Sequence, residues 1–251
     1  MKEVKMHKLD LRGHLLYLKG KKQTLELAQL HNTRNIPIEL EAFDHIDPSK
    51  VHLNQEINSL HGKTLEEAVK GAITEAGIDL SKGTFKRKDK GYAIEWVFTV
   101  THGFECNFIE LYNQCLEWLK IRHPSCPIVH AVIHMDEGEP HLHAIMVPIE
   151  DKHVPASKIL GFKGCSRERS FDLYEKVGIK FGLAYSMNLK GAAKKEASEK
   201  AIKQLEKLHY REIFGSLWNP LKLAVQARPE PWLDELGILL NAHQLKRQHR
   251  D

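Results

Sequence analysis

The stretch IHMDEGEPHLHAIMVP, residues 133 to 148, gathers groups able to hold a cation: the imidazoles of His134, His141 and His143 and the carboxylates of Asp136 and Glu137. Two alternating apolar runs, PIVHAVIHMDE and PHLHAIMVPI, flank a short turn, a pattern that predicts an antiparallel hairpin. With Gly138 and Glu139 as the turn, His134 stands opposite His143 and Asp136 opposite His141. Opposed residues share a face, and every second residue along a strand returns to it. Three imidazoles and the Asp136 carboxylate therefore converge, with opposed β-carbons about 5 Å apart. Strict alternation points Glu137 away from this cluster, unless local twist brings it near. A four-residue loop centred alike keeps the register, whereas a loop of odd length breaks it. Imidazole suits zinc, iron, nickel, copper or manganese. Three protein ligands also leave positions open, as catalytic sites do and structural sites do not, and those positions could accept phosphate oxygens. A single histidine on a strand is usually an ordinary hydrogen-bonded polar group, and His130 is read as one.

The elements that must present these groups follow from periodicity. The other face of the hairpin carries Val129, Ala131, Ile133 and Met135 beside Leu142, Ala144 and Met146, an apolar surface ready to pack on helices. Residues 64 to 76 set Leu65, Ala68, Val69, Ala72, Ile73 and Ala76 on one helical face, opened by a Thr64/Glu67 capping box and closed by Gly77. A basic, glycine-bounded loop, KGTFKRKDKG, leads to YAIEWVFTV, which alternates as a half-buried strand does. Residues 107 to 121 return to helical spacing through Phe108, Leu111, Tyr112, Cys115, Trp118 and Leu119 until HPSCP breaks the helix. After the hairpin the pattern is helical over about 167 to 181, 190 to 216 and 231 to 246, with WNP and RPEP as breaks. In the first sixty residues VKMHKL, HLLYLKG and IPIELEAF each read as strands, in an order the pattern does not set. The expectation is an α+β fold: an antiparallel sheet with the metal hairpin at its centre and helices on one face. Residues 1 to 190 are expected to form the catalytic domain, with 191 to 251 a helical C-terminal extension packed on it or following it.

Composition sets wider bounds. The 251 residues are 42% hydrophobic, enough to bury one large or two small cores. Lys and Arg number 37 against 33 Asp and Glu, and a net charge of +4 permits a polyanionic partner without requiring one. The four cysteines contain no CxxC pair, which argues against a zinc finger and fits reduced thiols in a cytosol. No signal-peptide cleavage pattern opens the chain, and no apolar run approaches the roughly 20 residues of a membrane helix. The expected setting is cytoplasmic, without membrane insertion.

At this point the motifs become recognisable. HMDEGEPHLHAIMVP resembles the metal motif HxDExxPHxHxxxxP of the MobV class, the Mob/Pre family of plasmid mobilisation relaxases among the HUH endonucleases. HNTR at 31 to 34 resembles the HNxR of the family's first motif, and SKVHLNQEI at 49 to 57 resembles the SxxHLNYDL that follows it. KFGLAYSMNLKGAAKKEA is similar, more loosely, to the segment after the metal motif, so the resemblance spans about residues 31 to 190. It implies a relaxase that nicks single-stranded or supercoiled DNA at an origin of transfer, with a coupling protein of a conjugation system as a further partner. It also implies Mn2+ or Mg2+ at His134, His141 and His143, with Glu137 assisting proton transfer and Asp136 and Asn54 supporting the ligands. Where family members often have tyrosine, this chain has Gln55, whose amide is no nucleophile. The family's alternative nucleophile is the HNxR histidine, here His31, which would form a phosphoramidate.

A neutral imidazole is nucleophilic near its ordinary pKa of about 6.5, and Arg34 could neutralise charge on the non-bridging phosphate oxygens. Read from spacing alone, HNTR is a turn in which His31 and Asn32 cap a loop, and Tyr17 is the reserve nucleophile. Lys86, Arg87, Lys88, Arg167 and Arg169 are the candidate DNA contacts, although such charge runs are more often solvated loops. The Lys and Glu residues of 190 to 207 read as an exposed helix face. Three other functions compete: from the same chemistry, a replication initiator or transposase with a tyrosine nucleophile; from a different class, a DNA-binding regulator with a structural metal that never cuts; and a hydrolase of small phosphoesters.

Overall fold

A computed structural model describes residues 7–18, 23–35, 45–82, 85, 87, 90–161, 163–184, 191–229, 232, 233, 236 and 238, with the side chains of 163–167 and 193 left aside. These residues fall into two compact units, His7–Ala184 and a C-terminal unit.

The first unit is built on a five-stranded sheet, antiparallel throughout: β1 (Leu9–Leu16), β2 (Gln55–Asn58), β3 (Ala93–Val100), β4 (Ile128–His134) and β5 (His141–Met146), in the order β1-β3-β5-β4-β2. The hairpin β4–β5 is thus central. Its register differs from the one expected: His134 pairs with His141, Val132 with His143 and Ala131 with Ala144. The connection is the six residues Met135–Pro140, and the pairing is displaced by two. An even displacement leaves every side chain on its expected face, so the imidazoles still converge.

Each face of the sheet carries its own core. On one, Ile94, Trp96, Phe98, Ala131, Ile133, Leu142, Ala144 and Met146 pack with Leu111, Tyr112, Cys115 and Leu119 of α3 (Phe108–Arg122), with Ala156 of α4 (Ala156–Leu160) and with Leu173 of α5 (Lys163–Lys176). On the other, Ile145, Val147, Ala93 and Leu16 pack with Leu25 and Ala28 of α1 (Leu25–Thr33) and with Leu65, Val69 and Ile73 of α2 (Leu65–Glu75). Helices therefore cover both faces, not one. The second pair sets its apolar side chains on the far end of this face, and the last turn of α1 brings polar groups over the histidine end.

α2 begins where its capping box predicts: the Thr64 hydroxyl accepts from Glu67 N while Glu67 reaches back to Thr64 N. The N-terminal segments depart from expectation. β1 takes in the end of VKMHKL and the start of HLLYLKG, joining two of the expected strands in one; α1 was not anticipated, and IPIELEAF lies outside the described residues. In the C-terminal unit, α6 (Gly191–Lys207) buries Ala197, Ala201 and Leu205 at a helical spacing of four against Trp218 and Val225 of α8 (Trp218–Ala227), with the short α7 (Tyr210–Phe214) between. Most of the helix expected over 231 to 246 lies outside the described residues. Among the described residues no helix is long and apolar enough to cross a membrane.

Gly13 of β1 faces Trp96 across the ladder, and a β-carbon there would stand 2.5 Å from Leu160 and 2.7 Å from Trp96. Gly13→Ala is therefore expected to cost about 1–3 kcal/mol by overpacking, while Gly138→Ala, with no atom within 4 Å of its added carbon, should be near neutral. Urea denaturation measures both, and equal midpoints would refute this account of the core.

Candidate active site

The hairpin sets three imidazoles side by side: ring centroids are 5.2 Å apart for His134 and His141, 4.9 Å for His141 and His143, and 5.0 Å for His134 and His143. All three are buried. Each ties one ring nitrogen to an acceptor behind it: His134 Nε2 to the Asn32 carbonyl at 3.3 Å, His141 Nδ1 to the Glu139 carbonyl at 2.8 Å, and His143 Nδ1 to the Glu95 carboxylate at 2.9 Å. An acceptor on one ring nitrogen puts the proton there and leaves a lone pair on the other. For His134 that other nitrogen, Nδ1, is buried without a hydrogen-bond partner. Orphan lone pairs facing one another are what a divalent cation satisfies, so these residues fit one.

The fourth imidazole arrives on α1. His31 occupies the last turn of this helix, which ends at Arg34 with the left-handed φ of 55°. HNTR is therefore a helix C-terminus and not the turn expected from spacing. The His31 ring lies 5.1 Å from that of His134 and 5.0 Å from that of His143. One ligand atom from each of His31, His134, His141 and His143 fits within 4.8 Å of the others.

Glu137 lies inside this group, against strict alternation, because it belongs to the six-residue connection where alternation no longer holds. Its carboxylate stands 3.4 Å from His31 Nε2, 3.7 Å from His134 Nδ1 and 3.6 Å from His141 Nε2. His45 reaches the same carboxylate at 3.5 Å, a residue that sequence reasoning missed: it lies outside the three matched motifs and in no periodic run.

Asp136 does not face His141 as expected. Its two oxygens accept from Arg34 Nε at 2.8 Å, Arg34 Nη2 at 2.6 Å and Asn54 Nδ2 at 2.7 Å, while its carbonyl accepts from Asp47 N at 2.7 Å. Asn54 also accepts from Met135 N at 2.7 Å, pinning the hairpin connection from both sides. Asp136 and Asn54 thus sit behind the imidazoles as supports.

Arg34 is corrected more sharply. Its remaining donors go to the Glu137 carboxylate at 2.6 Å, the His31 carbonyl at 2.7 Å and His31 Nδ1 at 3.4 Å. Five N–H groups meet five protein contacts on a buried side chain, so none is left over for a phosphate oxygen.

The electrostatics follow from burial. Desolvation lowers the His31 pKa from 6.5 to about 4, with the neighbouring His143 adding to it, and holds His134 and His143 well below the ordinary histidine value. Desolvation also works against charge on Asp136, but hydrogen bonds from Arg34 and Asn54 outweigh it and bring that carboxyl down to about 2. His31, His134 and His143 are thereby held neutral beside the ionised Asp136, the state of the rings that ligation and nucleophilic attack both need.

Of the expected DNA contacts, Arg87 is exposed, while Lys86, Lys88 and the Arg167 side chain lie outside the described residues. Arg169 is buried: its guanidinium lies 4.5 Å from the Trp96 ring centroid and donates to the Ile159 and Leu160 carbonyls. It cannot reach DNA. The reserve nucleophile fails as well. Tyr17 follows the pair Leu16–Ala93, five strand steps from Val97, the partner of His143, or about 17 Å along the sheet at ~3.4 Å per residue.

A family model described as plasmid recombination enzyme matches residues 16–175, from the end of β1 to the end of α5. The chain belongs to the Mob_Pre family. That span holds His31, Arg34, Asn54 and the whole histidine hairpin. Among solved structures, the fold of the Mob_Pre chain is similar to that of the MobM relaxase domain (MOBV; Mob_Pre). The Mn-bound crystal structure of that domain at pH 5.5, bound to 22 nucleotides of plasmid pMV158 oriT DNA, gives a TM-score of 0.60 at 21% identity over 73% of this chain and 94% of that one. The Mn-bound form at pH 6.8 with a 3'-thiophosphate gives 0.59 at 22% over 74% and 96%, and the complex with 26 nucleotides gives 0.54 at 18% over 73% and 94%. No curated protein matches by sequence.

Because folding lowers the His31 pKa from 6.5 to about 4, the unfolded chain takes up this proton first. The stability tied to the neutral ring is complete above pH 6.5 and is lost as pH falls to about 4, on the order of 1–3 kcal/mol for this residue. In metal-free protein the urea midpoint should drop between pH 7.5 and 4.5, less steeply in His31→Gln. Parallel profiles for the two proteins would contradict the burial assigned to His31.

Proposed function

We propose that this protein is a metal-dependent DNA relaxase that nicks one strand at a plasmid or mobile-element origin of transfer and retains the cut end on His31. One observation carries the reading: an imidazole, a carboxylate and a trio of lone-pair nitrogens meet in one pocket, with His31 Nε2 3.4 Å from Glu137. In the proposed reaction His31 attacks the scissile phosphorus through an Nε2 that carries no proton, and Glu137 assists removal of the proton left on the ring. The P–N bond forms as one P–O bond of the diester breaks, and the departing oxygen takes a proton from water. A divalent cation held by His134, His141 and His143 would supply Lewis-acid stabilisation of the charge gathering on the phosphate oxygens. Mn2+ suits this nitrogen-rich set better than Mg2+, which prefers oxygen donors.

Glu95, Asn32 and the Glu139 carbonyl hold the three ligands in orientation, and Arg34, Asn54 and Asp136 hold the connection that carries Glu137. The phosphoramidate conserves the energy of the diester, so the same residues can return the strand to a free end without nucleotide hydrolysis.

The substrate in this reading is the single strand extruded at an origin, with Lys86, Arg87, Lys88 and Arg167 as contacts to its backbone. Catalysis belongs to the first unit, residues 191–251 form a helical extension, the protein works in the cytoplasm, and a conjugation coupling protein is its further partner.

Incubation with Mn2+ and end-labelled single-stranded DNA from the element that encodes the chain should give a covalent adduct stable to base and lost in acid. His31→Ala should abolish it, and Glu137→Gln should slow it by about 10²–10⁴. An adduct of the opposite stability that survives in His31→Ala would overturn the assignment in favour of a tyrosine, and no adduct under any condition would favour a DNA-binding regulator.

A further inference from the structure

His31 belongs to two groups of potential ligands. One is the cluster of four imidazoles. The other is a triad on its outer side: one ligand atom from each of His31, His45 and Glu137 lies within 4.8 Å of the others. His31 Nε2 is 3.4 Å from Glu137 Oε1, and His45 Nε2 is 3.5 Å from Glu137 Oε2. Both separations exceed the length of an N–H···O hydrogen bond, about 2.7–3.2 Å. They match the edge, roughly 3.4 Å, of a tetrahedron built on metal–ligand bonds of about 2.0–2.1 Å.

The donor set has a chemistry of its own. Two imidazoles with one carboxylate are a ligand set of catalytic zinc, which keeps further positions open. Arg34 Nη2 donates to Glu137 Oε1 at 2.6 Å, so Oε2 is the oxygen that meets a cation. Burial keeps the His31 ring neutral, and a cation arriving at Nε2 selects the form of the ring whose lone pair is there. The side chain of His45 is 51% exposed, whereas the hairpin imidazoles are buried, so the triad meets solvent first. It should also bind less tightly than the hairpin. His45 must be ordered on binding, and a cation already in the hairpin repels a second one. Glu137 offsets part of that repulsion, because Oε2 is also 3.6 Å from His141 Nε2 and a carboxylate between two cations attracts both.

We propose that His31, His45 and Glu137 form a second, weaker cation site whose occupant takes the lone pair of His31 and switches the protein off. The site stands on the geometry of the triad, while its inhibitory effect rests on the reading of His31 as the nucleophile given above. A cation ligated at Nε2 holds the electron pair that phosphorus would need, and it occupies the Glu137 oxygen beside it. The ligand set orders the cations that can do this. Zn2+ binds nitrogen and carboxylate donors more tightly than Mn2+, so Zn2+ fills the triad readily and Mn2+ fills it only in excess over what the hairpin needs.

The test titrates Zn2+ alone into the metal-free full chain by calorimetry, with folding checked by circular dichroism. Wild type should bind a tight equivalent and then a second at least about tenfold weaker, the difference set by repulsion between the cations. His45→Ala, His45→Phe and His31→Ala should keep the tight equivalent and lose the weak one; the phenylalanine variant retains a ring without its nitrogens. His153→Ala, which removes an exposed histidine beyond the far end of β5, should keep both. A single equivalent in wild type, or a weak equivalent that persists in folded His45→Phe, overturns the proposal. Loss of the tight equivalent in His31→Ala would place His31 among the hairpin ligands and overturns it as well. The consequence is read with Mn2+ and labelled origin DNA: adduct yield should rise and then fall with Mn2+ in wild type, and the fall should be absent from His45→Phe. The same fall in both proteins, or a plateau in both, denies the switch. No adduct at any Mn2+ concentration, with the two Zn2+ equivalents intact, would refute the relaxase reading and leave the second site standing.

Discussion

The buried pairing of Arg34 with Asp136 is the constraint on which the site depends. It joins residues 102 apart in sequence, the end of α1 and the connection of the central hairpin, through charge-assisted contacts of 2.6 and 2.8 Å. A buried pair of this kind is costly to break, because either partner alone would be an uncompensated charge. Its geometric effect matters more than its contribution to stability. Once Arg34 is docked, His31 three residues earlier is delivered to the open end of the sheet, and Glu137, one residue beyond Asp136, is drawn to the same guanidinium. His31 and Glu137 are thus located by one contact.

Around that pair the protein excludes water from the ring nitrogens, which lowers their basicity and keeps protons off their lone pairs. Desolvation holds His31, His134 and His143 below the ordinary histidine range, so the rings remain neutral at physiological pH. The acceptors behind three of them choose which nitrogen keeps its lone pair. Glu95 is buried beneath His143, and burial pushes its carboxyl up. The sheet therefore supplies rigidity on one side of each ring and chemistry on the other, while the apolar core across the sheet, led by Trp96 and Phe98, keeps the strands from shifting.

Much of this was legible from the residues. The hairpin and its two faces were written in strict alternation, and α2 in its capping box, because both depend on local geometry with a fixed period. What could not be read depends on partners distant in sequence. α1 buries Leu25, Ala28 and Asn32, only two of them apolar, so no amphipathic stripe announces it. Glu137 and the hairpin register escaped because alternation carries no information about the length or path of a connection. Arg169 looked like a solvent-facing cation until Trp96, 73 positions earlier in sequence, offered its ring. His45 had no local signal. The motifs named residues that the fold brings together, whereas the hydrogen bonds around each came only with the fold.

The displaced pairing of β4 and β5 has a consequence for how such enzymes can diversify. The imidazoles remain gathered because the slip between expected and observed pairing is an even number, so it is parity and not a fixed length that the inorganic chemistry requires. Beyond Asp136 and Glu137, whose contacts fix their places, the tip joining the two strands can gain or lose residues in twos and still present the same inner face. Changes by one would scatter it. Natural variation at this tip should therefore come in even steps, leaving its outer part free to drift among relatives while the interior stays put.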